Sequence, residues 1–152
     1  MLRLFRAAAR HARLTTHREA CVLGERVHGK RISIQAWGIV PKIREVDDYL
    51  TPAAQSRIRE GHPEVSFAMM NGGNAVAERK STSAGRDARL RLLEAHFPGV
   101  RDEVEKHRAF RSDVMDAFAL LWTARRLRDG SARALPALDV YDSRGLAMQI
   151  WA

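Results

Sequence analysis

Apolar residues in this chain recur mainly at intervals of three and four, and stretches that alternate between apolar and polar residues are scarce. Such spacing places apolar side chains on one face of a helix, whereas alternation would place them on one face of a strand. Between residues 32 and 50 the steps are 4, 3, 4, 3 and 4, and Pro41 should kink or split this helix because it lacks a backbone donor. The pattern therefore predicts a helix-rich fold.

Start and stop signals predict four more helices. The first covers 17–28 and is closed by Gly29, and the second runs from Pro63 to "NGG" at 71–73. The third runs from a cap at Thr82 or Ser83 to about Phe97, and its arginines Arg86, Arg89 and Arg91 are expected to face largely outward. The fourth covers 113–129, is capped by Asp113 or Ser112 and is closed by Gly130. Short strands are predicted at 56–60 and in "LAMQIWA" at 146–152, with a loop over 134–145.

Length and charge bound the class of protein. The 152 residues suit one domain. The sequence contains no run of 18 apolar residues, so no membrane-spanning helix is predicted. Lys and Arg number 26 against 18 Asp and Glu, a net charge of +8, which favours polyanionic partners such as nucleic acid. Arginines on solvated faces, produced by a GC-rich coding bias, would give the same count.

Cys21 is the only cysteine, which excludes an internal disulfide and a cysteine-based zinc site. A reducing compartment is the natural home of such a chain, and we expect a cytoplasmic location. Five arginines precede the first acidic residue, Glu19. Residues 1–16 are therefore read as a basic segment ahead of a domain over 17–152, although a mitochondrial presequence has a similar composition.

Two aspartates open the helix predicted over 113–129. Asp113 and Asp116 are three residues apart and should be neighbours on one helix face. By helical periodicity, Asp113 shares its side with an apolar stripe that we expect to face the interior, where a carboxylate needs a proton, a base or a metal. Ordinary helix capping is the alternative, since both carboxylates complement a helix N-terminus.

"REGHPEVSF" at 59–67 places Glu60, His62 and Glu64 where a strand is predicted to turn into a helix. Glu64 and His62 also suit a first helical turn and its cap. Combined with Asp113 and Asp116, however, a carboxylate after a strand could hold Mg²⁺ or Mn²⁺. Two such ions would activate a water and stabilise the leaving oxygen in phosphodiester cleavage.

Several segments together resemble one bacterial family. "GKRISIQAWGIVPKIREVDDYL", "REGHPEVSFAMMNGG", "AGRDARLRLLEAHFP", "DVMDAFALLWTARRL" and "RGLAMQIWA" follow one another in the order expected for the domain of unknown function 429. That family is predicted to consist of RNase H-like nucleases related to Holliday-junction resolvases. The resemblance covers roughly residues 17–152.

The resemblance implies metal-binding acids. Glu60 matches the acid at the end of the fourth strand, and Asp113 and Asp116 match those that open the last core helix. His62 and Glu64 match the His-Pro-Glu element of the family. Lys80, in "ERKST", falls where the family shows a Lys-Lys-Thr-like run and is a candidate phosphate contact.

The resemblance also implies an α/β, RNase H-like fold that lacks its N-terminal strands and keeps a small residual sheet. The glycine-rich first strand and its aspartate have no counterpart in this sequence. Two functions follow as expectations. One is a divalent-metal-dependent nuclease that is truncated and either active or inactive. The other is a non-catalytic module that binds nucleic acid or a protein. An uncovered sheet edge would favour self-association or a partner chain.

Overall fold

The computed structural model describes residues 14–152, and the predicted helix-rich fold is confirmed. Two short strands pair antiparallel in a small sheet. Within the described residues, no helix is long and apolar enough to cross a membrane. The helices are α1 (His17–His28), α2 (Ile34–Gly38), α3 (Val40–Tyr49), α4 (Pro63–Met70), α5 (Ser83–Glu94), α6 (Val100–Lys106) and α7 (Arg111–Arg128), with 3₁₀ turns at Ala54–Ser56 and Arg108–Phe110; the strands are β1 (Ala134–Leu135) and β2 (Ile150–Trp151).

Capping explains the bounds of α1. The Thr16 hydroxyl accepts a hydrogen bond from the Glu19 amide at 3.2 Å, and the Glu19 carboxylate accepts one from the Thr16 amide at 3.1 Å. Gly29 ends the helix with a φ of 65°, a conformation that favours glycine. The predicted helix over 17–28 is thus confirmed, while the rest of the predicted basic segment, residues 1–13, lies outside the described residues.

The predicted break near Pro41 is confirmed as well. Helices α2 and α3 are separate and meet at Ile39, and Pro41 lies in the first turn of α3. Proline suits that position, because a first-turn amide has no partner within the helix.

The strand predicted at 56–60 was wrong. A 3₁₀ turn covers Ala54–Ser56, and the sheet-like contact in this region is an isolated parallel bridge between Gly61 and Trp151. The segment has a single apolar residue, Ile58, and so cannot bury one face of a strand.

The C-terminal strand is confirmed over two residues. Ile150–Trp151 pairs with Ala134–Leu135, so the predicted loop over 134–145 contains a strand. A two-residue strand has too little sequence for a period to be visible. Its pairing depends on a partner from a distant part of the chain.

The chain divides into two compact units. Among the described residues, the first unit contains 14–58 and Val140–Met148. In it, the Arg144 guanidinium donates to the carbonyl of Leu50 at 2.6 Å and that of Asp47 at 3.0 Å, which ties segment 140–148 to the end of α3.

The second unit contains Arg59–Asp139 and Gln149–Ala152, and its core lies among α4, α5, α6 and α7. Helix α7 buries the face that includes Met115, Ala119 and Thr123. The expected inward face was therefore wrong, since Asp113 and Leu121 are exposed. Both sides of this helix are apolar, and the side that carries the aromatic rings packs inward. The buried cluster comprises Phe67, Leu90, Leu93, Phe97, Val100, Val104, Met115 and Ala119.

Helix α7 begins earlier than predicted and without the predicted cap. Phe110 occupies the N-cap position, and neither Ser112 nor Asp113 caps the helix with its side chain. The reason is the preceding 3₁₀ turn, in which the Phe110 amide donates to the His107 carbonyl at 2.8 Å. The chain runs from this turn directly into α7, which leaves no extended residue where a side chain could cap.

Candidate functional site

An ion pair between a buried arginine and a partly exposed glutamate joins α4 to α5 in the second unit. Arg89 is 3% exposed, and it donates two hydrogen bonds to the Glu64 carboxylate, from Nε at 3.0 Å and from Nη2 at 2.6 Å. These bonds lower the pKa of Glu64 below its ordinary value of 4.5; partial burial opposes the shift, and the charges of Arg89, Lys80 and His62 add to it. Glu64 lies in the first turn of α4, as predicted, and is held ionised at neutral pH.

Arg89 also anchors the turn ahead of α5. Its Nη1 donates to the carbonyl of Glu78 at 3.1 Å and to that of Gly85 at 2.9 Å. Residues 78–81, which we call the Lys80 turn, are thereby attached to the same guanidinium that binds Glu64. All three nitrogens of this buried guanidinium donate hydrogen bonds, so Arg89 has little freedom to move and holds the Lys80 turn in place.

Three further features hold the Lys80 turn against α5. Thr82 caps the helix and donates its hydroxyl to the carbonyl of Arg79 at 2.8 Å. Arg86 donates from Nη1 to the carbonyl of Ser81 at 3.0 Å. A Cβ built on Gly85 would overlap the carbonyl of Arg79, so the turn packs against the helix at a distance that only glycine permits.

The Lys80 turn places the side chain of Lys80 beside α7. The Lys80 ammonium forms an ion pair with Oδ2 of Asp116. The other carboxylate oxygen, Oδ1, is buried and has no hydrogen-bond partner among the described residues. A buried acceptor without a donor is costly, so Asp116 is a carboxylate that a cation or a further donor would stabilise.

An open cleft of about 710 Å³ lies beside Lys80. The Lys80 turn, the start of α5, the second 3₁₀ turn and the start of α7 form its walls. The lining includes four basic side chains and one carboxylate, that of Asp113, together with the 66% exposed ring of Phe110. We call this feature the basic cleft; its basic side chains are Lys80, Arg86, Arg108 and Arg111.

The two predicted aspartate ligands of α7 have different surroundings. Asp113 is exposed and lines the basic cleft, whereas Asp116 is half-buried and paired with Lys80. Residues three apart on a helix have Cβ atoms about 5–6 Å from each other. The structure places both aspartates in α7, and their joint role as ligands stays a prediction.

Glu60 and His62 precede α4. The carbonyl of Glu60 accepts a hydrogen bond from the Trp151 amide at 2.8 Å, and His62 occupies the N-cap position without a side-chain capping bond. In the described part of the chain, no three His, Cys, Asp or Glu side chains form a group that could hold a metal ion. The metal-binding role of Glu60 with Asp113 and Asp116 stays a prediction.

Sequence reasoning missed Arg89, which was predicted to face outward. Its position in the series Gly85, Arg89, Leu93 and Phe97, each four residues after the last, places it on the face that the two apolar residues bury. A buried arginine needs a carboxylate partner, and the nearby helix supplies Glu64. The spacing was therefore a usable signal.

One protein family matches the chain. The family described as "Protein of unknown function (DUF429)" matches residues 2–140. The match starts ahead of residue 17, where the resemblance was expected to begin, and it stops before the "RGLAMQIWA" segment. No curated protein and no solved structure matches. Because the match spans most of the chain and contains α1 to α7 and the basic cleft, this protein belongs to the DUF429 family.

Proposed function

We propose that this protein binds nucleic acid and that the phosphate backbone lies in the basic cleft. The observation that carries the proposal is the convergence of four basic side chains from four segments on one cleft. Phosphate contacts by arginine and lysine supply most of the affinity of non-specific nucleic-acid binding. The net charge of +8 adds attraction at longer range.

The three arginines of the cleft are available for phosphate. Lys80 already has a carboxylate partner, but Arg86, Arg108 and Arg111 form no ion pair with a carboxylate of the described residues. Two of them donate one hydrogen bond each to backbone carbonyls and keep further N–H groups. A guanidinium with free N–H groups binds phosphate oxygens in pairs, which suits it to a phosphodiester.

The test is binding of a fluorescent single-stranded oligonucleotide at several salt concentrations. Replacing Arg86, Arg108 and Arg111 together with glutamine should weaken binding about 10- to 100-fold. The slope of log K against log salt should fall in magnitude by about 2, because each lost phosphate contact contributes about 0.7 on a single strand.

A matched control removes the same charge elsewhere. Arg91, Arg128 and Arg133 are exposed and lie outside the lining of the basic cleft. Their joint replacement by glutamine should lower affinity only slightly and leave most of the salt slope. Equal losses in the two triple variants would show that net charge, not the cleft, binds the strand.

A second candidate function is divalent-metal-dependent cleavage of the bound strand. The favouring observation is the buried Oδ1 of Asp116, an acceptor without a donor beside the cleft. Mg²⁺ commonly binds through one or two carboxylates together with substrate phosphates and water. Asp113 and Asp116 would hold such an ion, which would supply charge stabilisation and an activated water.

The residues of this chain would prepare that chemistry. The arginines of the cleft would orient the phosphodiester, and Lys80 would neutralise Asp116 until the substrate and ion arrive. Glu60 remains a proposed third ligand on the family resemblance. We propose on the same ground an RNase H-like relation, in which the small sheet is the remainder of a larger one whose edge would accept a partner strand.

Cleavage is tested with Mg²⁺ or Mn²⁺ and a labelled strand. Any ion-dependent cleavage should fall about 100-fold or more in Asp116→Asn and in Glu60→Gln, because each loses a charged ligand. Asp129→Asn, at the opposite end of α7, is the matched control and should cleave normally. Cleavage that survives both changes would exclude this metal site and would leave the binding proposal intact.

A further inference from the structure

We infer that the basic cleft prefers single-stranded nucleic acid, because an unpaired base stacks on the ring of Phe110. This inference rests on the proposed binding function and names its substrate class. It comes from an aromatic ring that lines a cationic cleft and is 66% exposed.

The position of Phe110 is defined by its neighbours. Arg108 precedes it by two residues and Arg111 follows it directly, and both line the same cleft. The Phe110 amide donates to the His107 carbonyl at 2.8 Å, and the Arg111 Nε donates to the Arg108 carbonyl at 3.2 Å. The first bond fixes the backbone that carries the ring, and the second holds the Arg111 side chain against the 3₁₀ turn that contains Arg108.

Packing does not account for the ring. Phe97 and Phe118 pack edge to face with ring centroids 5.2 Å apart, and they belong to the core of this unit or pack against it. Phe110 does neither, and its backbone position at the start of α7 requires no aromatic side chain. A single exposed apolar residue is common on protein surfaces. An exposed ring between phosphate-binding cations has the composition of a stacking platform.

Stacking on an aromatic ring favours single-stranded over double-stranded nucleic acid. Every base has a π-face, so a fixed aromatic ring binds unpaired bases with little regard to sequence. In a duplex those faces already stack on neighbouring bases, and exposing one costs unstacking and unpairing energy. The cleft volume of about 710 Å³ lies within the range of about 300–1,000 Å³ of pockets that accept small ligands, which leaves room for a nucleotide.

Three labelled probes separate phosphate binding from stacking. They are an oligothymidine strand, an abasic strand with the same number of phosphates, and a duplex of the same length. The wild-type protein should bind oligothymidine about 5- to 100-fold more tightly than the abasic strand, which corresponds to one stacked base. It should also bind oligothymidine more tightly than the duplex.

Two substitutions assign the effect to the ring. Phe110→Leu keeps an apolar side chain but has no π-face, and it should lose most of the preference for oligothymidine over the abasic strand. Phe110→Trp should keep or increase that preference. Thermal unfolding of both variants checks that the fold is retained.

The outcomes distinguish this inference from the proposed function. If wild-type protein binds the abasic strand and oligothymidine equally, or if Phe110→Leu keeps the full preference, stacking on Phe110 is refuted while phosphate binding stands. Tighter binding of the duplex would refute it too. If no probe binds, the proposed function fails, and the inference fails with it.

Discussion

Glutamine in place of Glu64 is expected to lower the free energy of unfolding by about 1–3 kcal/mol, because Arg89 is buried while the Glu64 side chain is 37% exposed and partly solvated. The substitution leaves the size of the side chain unchanged but removes the charge that Arg89 faces. Arg89 is 3% exposed, so its guanidinium cannot turn to water for compensation. One amide oxygen can accept one of the two hydrogen bonds, and the amide nitrogen then faces an N–H donor. Urea unfolding at pH 7 measures the loss.

The chain contains a control with the same geometry on the surface. Arg101 donates to Glu94 from Nε at 2.7 Å and from Nη2 at 3.1 Å, with both side chains at least one-third exposed. Glu94→Gln should cost clearly less than Glu64→Gln, because water replaces the bonds that Arg101 loses. The two glutamates are similarly exposed, at 37% and 36%, so equal costs at positions 64 and 94 would contradict the idea that the burial of Arg89 makes the Glu64 pair matter more.

The penalty of Glu64→Gln should also depend on pH. Arg89 lowers the pKa of Glu64 in the folded state, so the pair stabilises the protein above the ordinary value of 4.5. That contribution is lost as the pH falls from 4.5 through the lowered pKa, because Glu64 then takes up a proton. The stability gap between wild type and variant should therefore narrow in acid. A gap that is constant down to acid pH would mean that charge is not its source.

Alanine in place of Phe67 is expected to cost about 3–5 kcal/mol. Phe67 has no exposed surface and belongs to the buried cluster of the second unit. Its ring also lies beneath the Arg89 guanidinium, whose carbon is 5.7 Å from the ring centroid. The substitution opens a cavity and removes the surface on which the buried cation lies. Urea or thermal unfolding measures the effect.

Phe110→Ala is the matched comparison, since it deletes the same ring from an exposed site. Its cost should stay below about 1 kcal/mol. The two variants should also differ in their effect on binding. Phe67→Ala should weaken binding only as far as it unfolds the protein, whereas Phe110→Ala should weaken binding of single strands in a folded protein. A large stability loss in Phe110→Ala would show that the ring has a structural role.

The sequence predicted the helices well because their signals are local. A capping residue, a closing glycine or a proline acts within a few residues, and the bounds of α1 and the break before α3 follow from such signals. Strands depend on distant partners, and so Ala134–Leu135 was assigned to a loop. The inward side of α7 was also predicted wrongly, because both of its sides are apolar and the sequence does not show which one meets the core.

The candidate site was only partly visible in the sequence. The family resemblance named Lys80, Glu64 and Asp116, but not the contacts between them. Lys80 and Asp116 are 36 residues apart, and no local pattern indicates that they pair. Arg89, which joins this group to the fold, was overlooked since a lone arginine in a helix is usually solvated. Its burial becomes apparent only when it is placed on the face shared with Leu93.

The close approach of Gly85 to the carbonyl of Arg79 couples the start of α5 to the Lys80 turn. Any side chain at position 85 would displace the backbone beside it, and Lys80 would move with that backbone. A substitution at position 85 would therefore change the position of a side chain in the basic cleft without touching that cleft directly. The position of the Lys80 side chain thus depends on Gly85, a residue that has no side chain of its own.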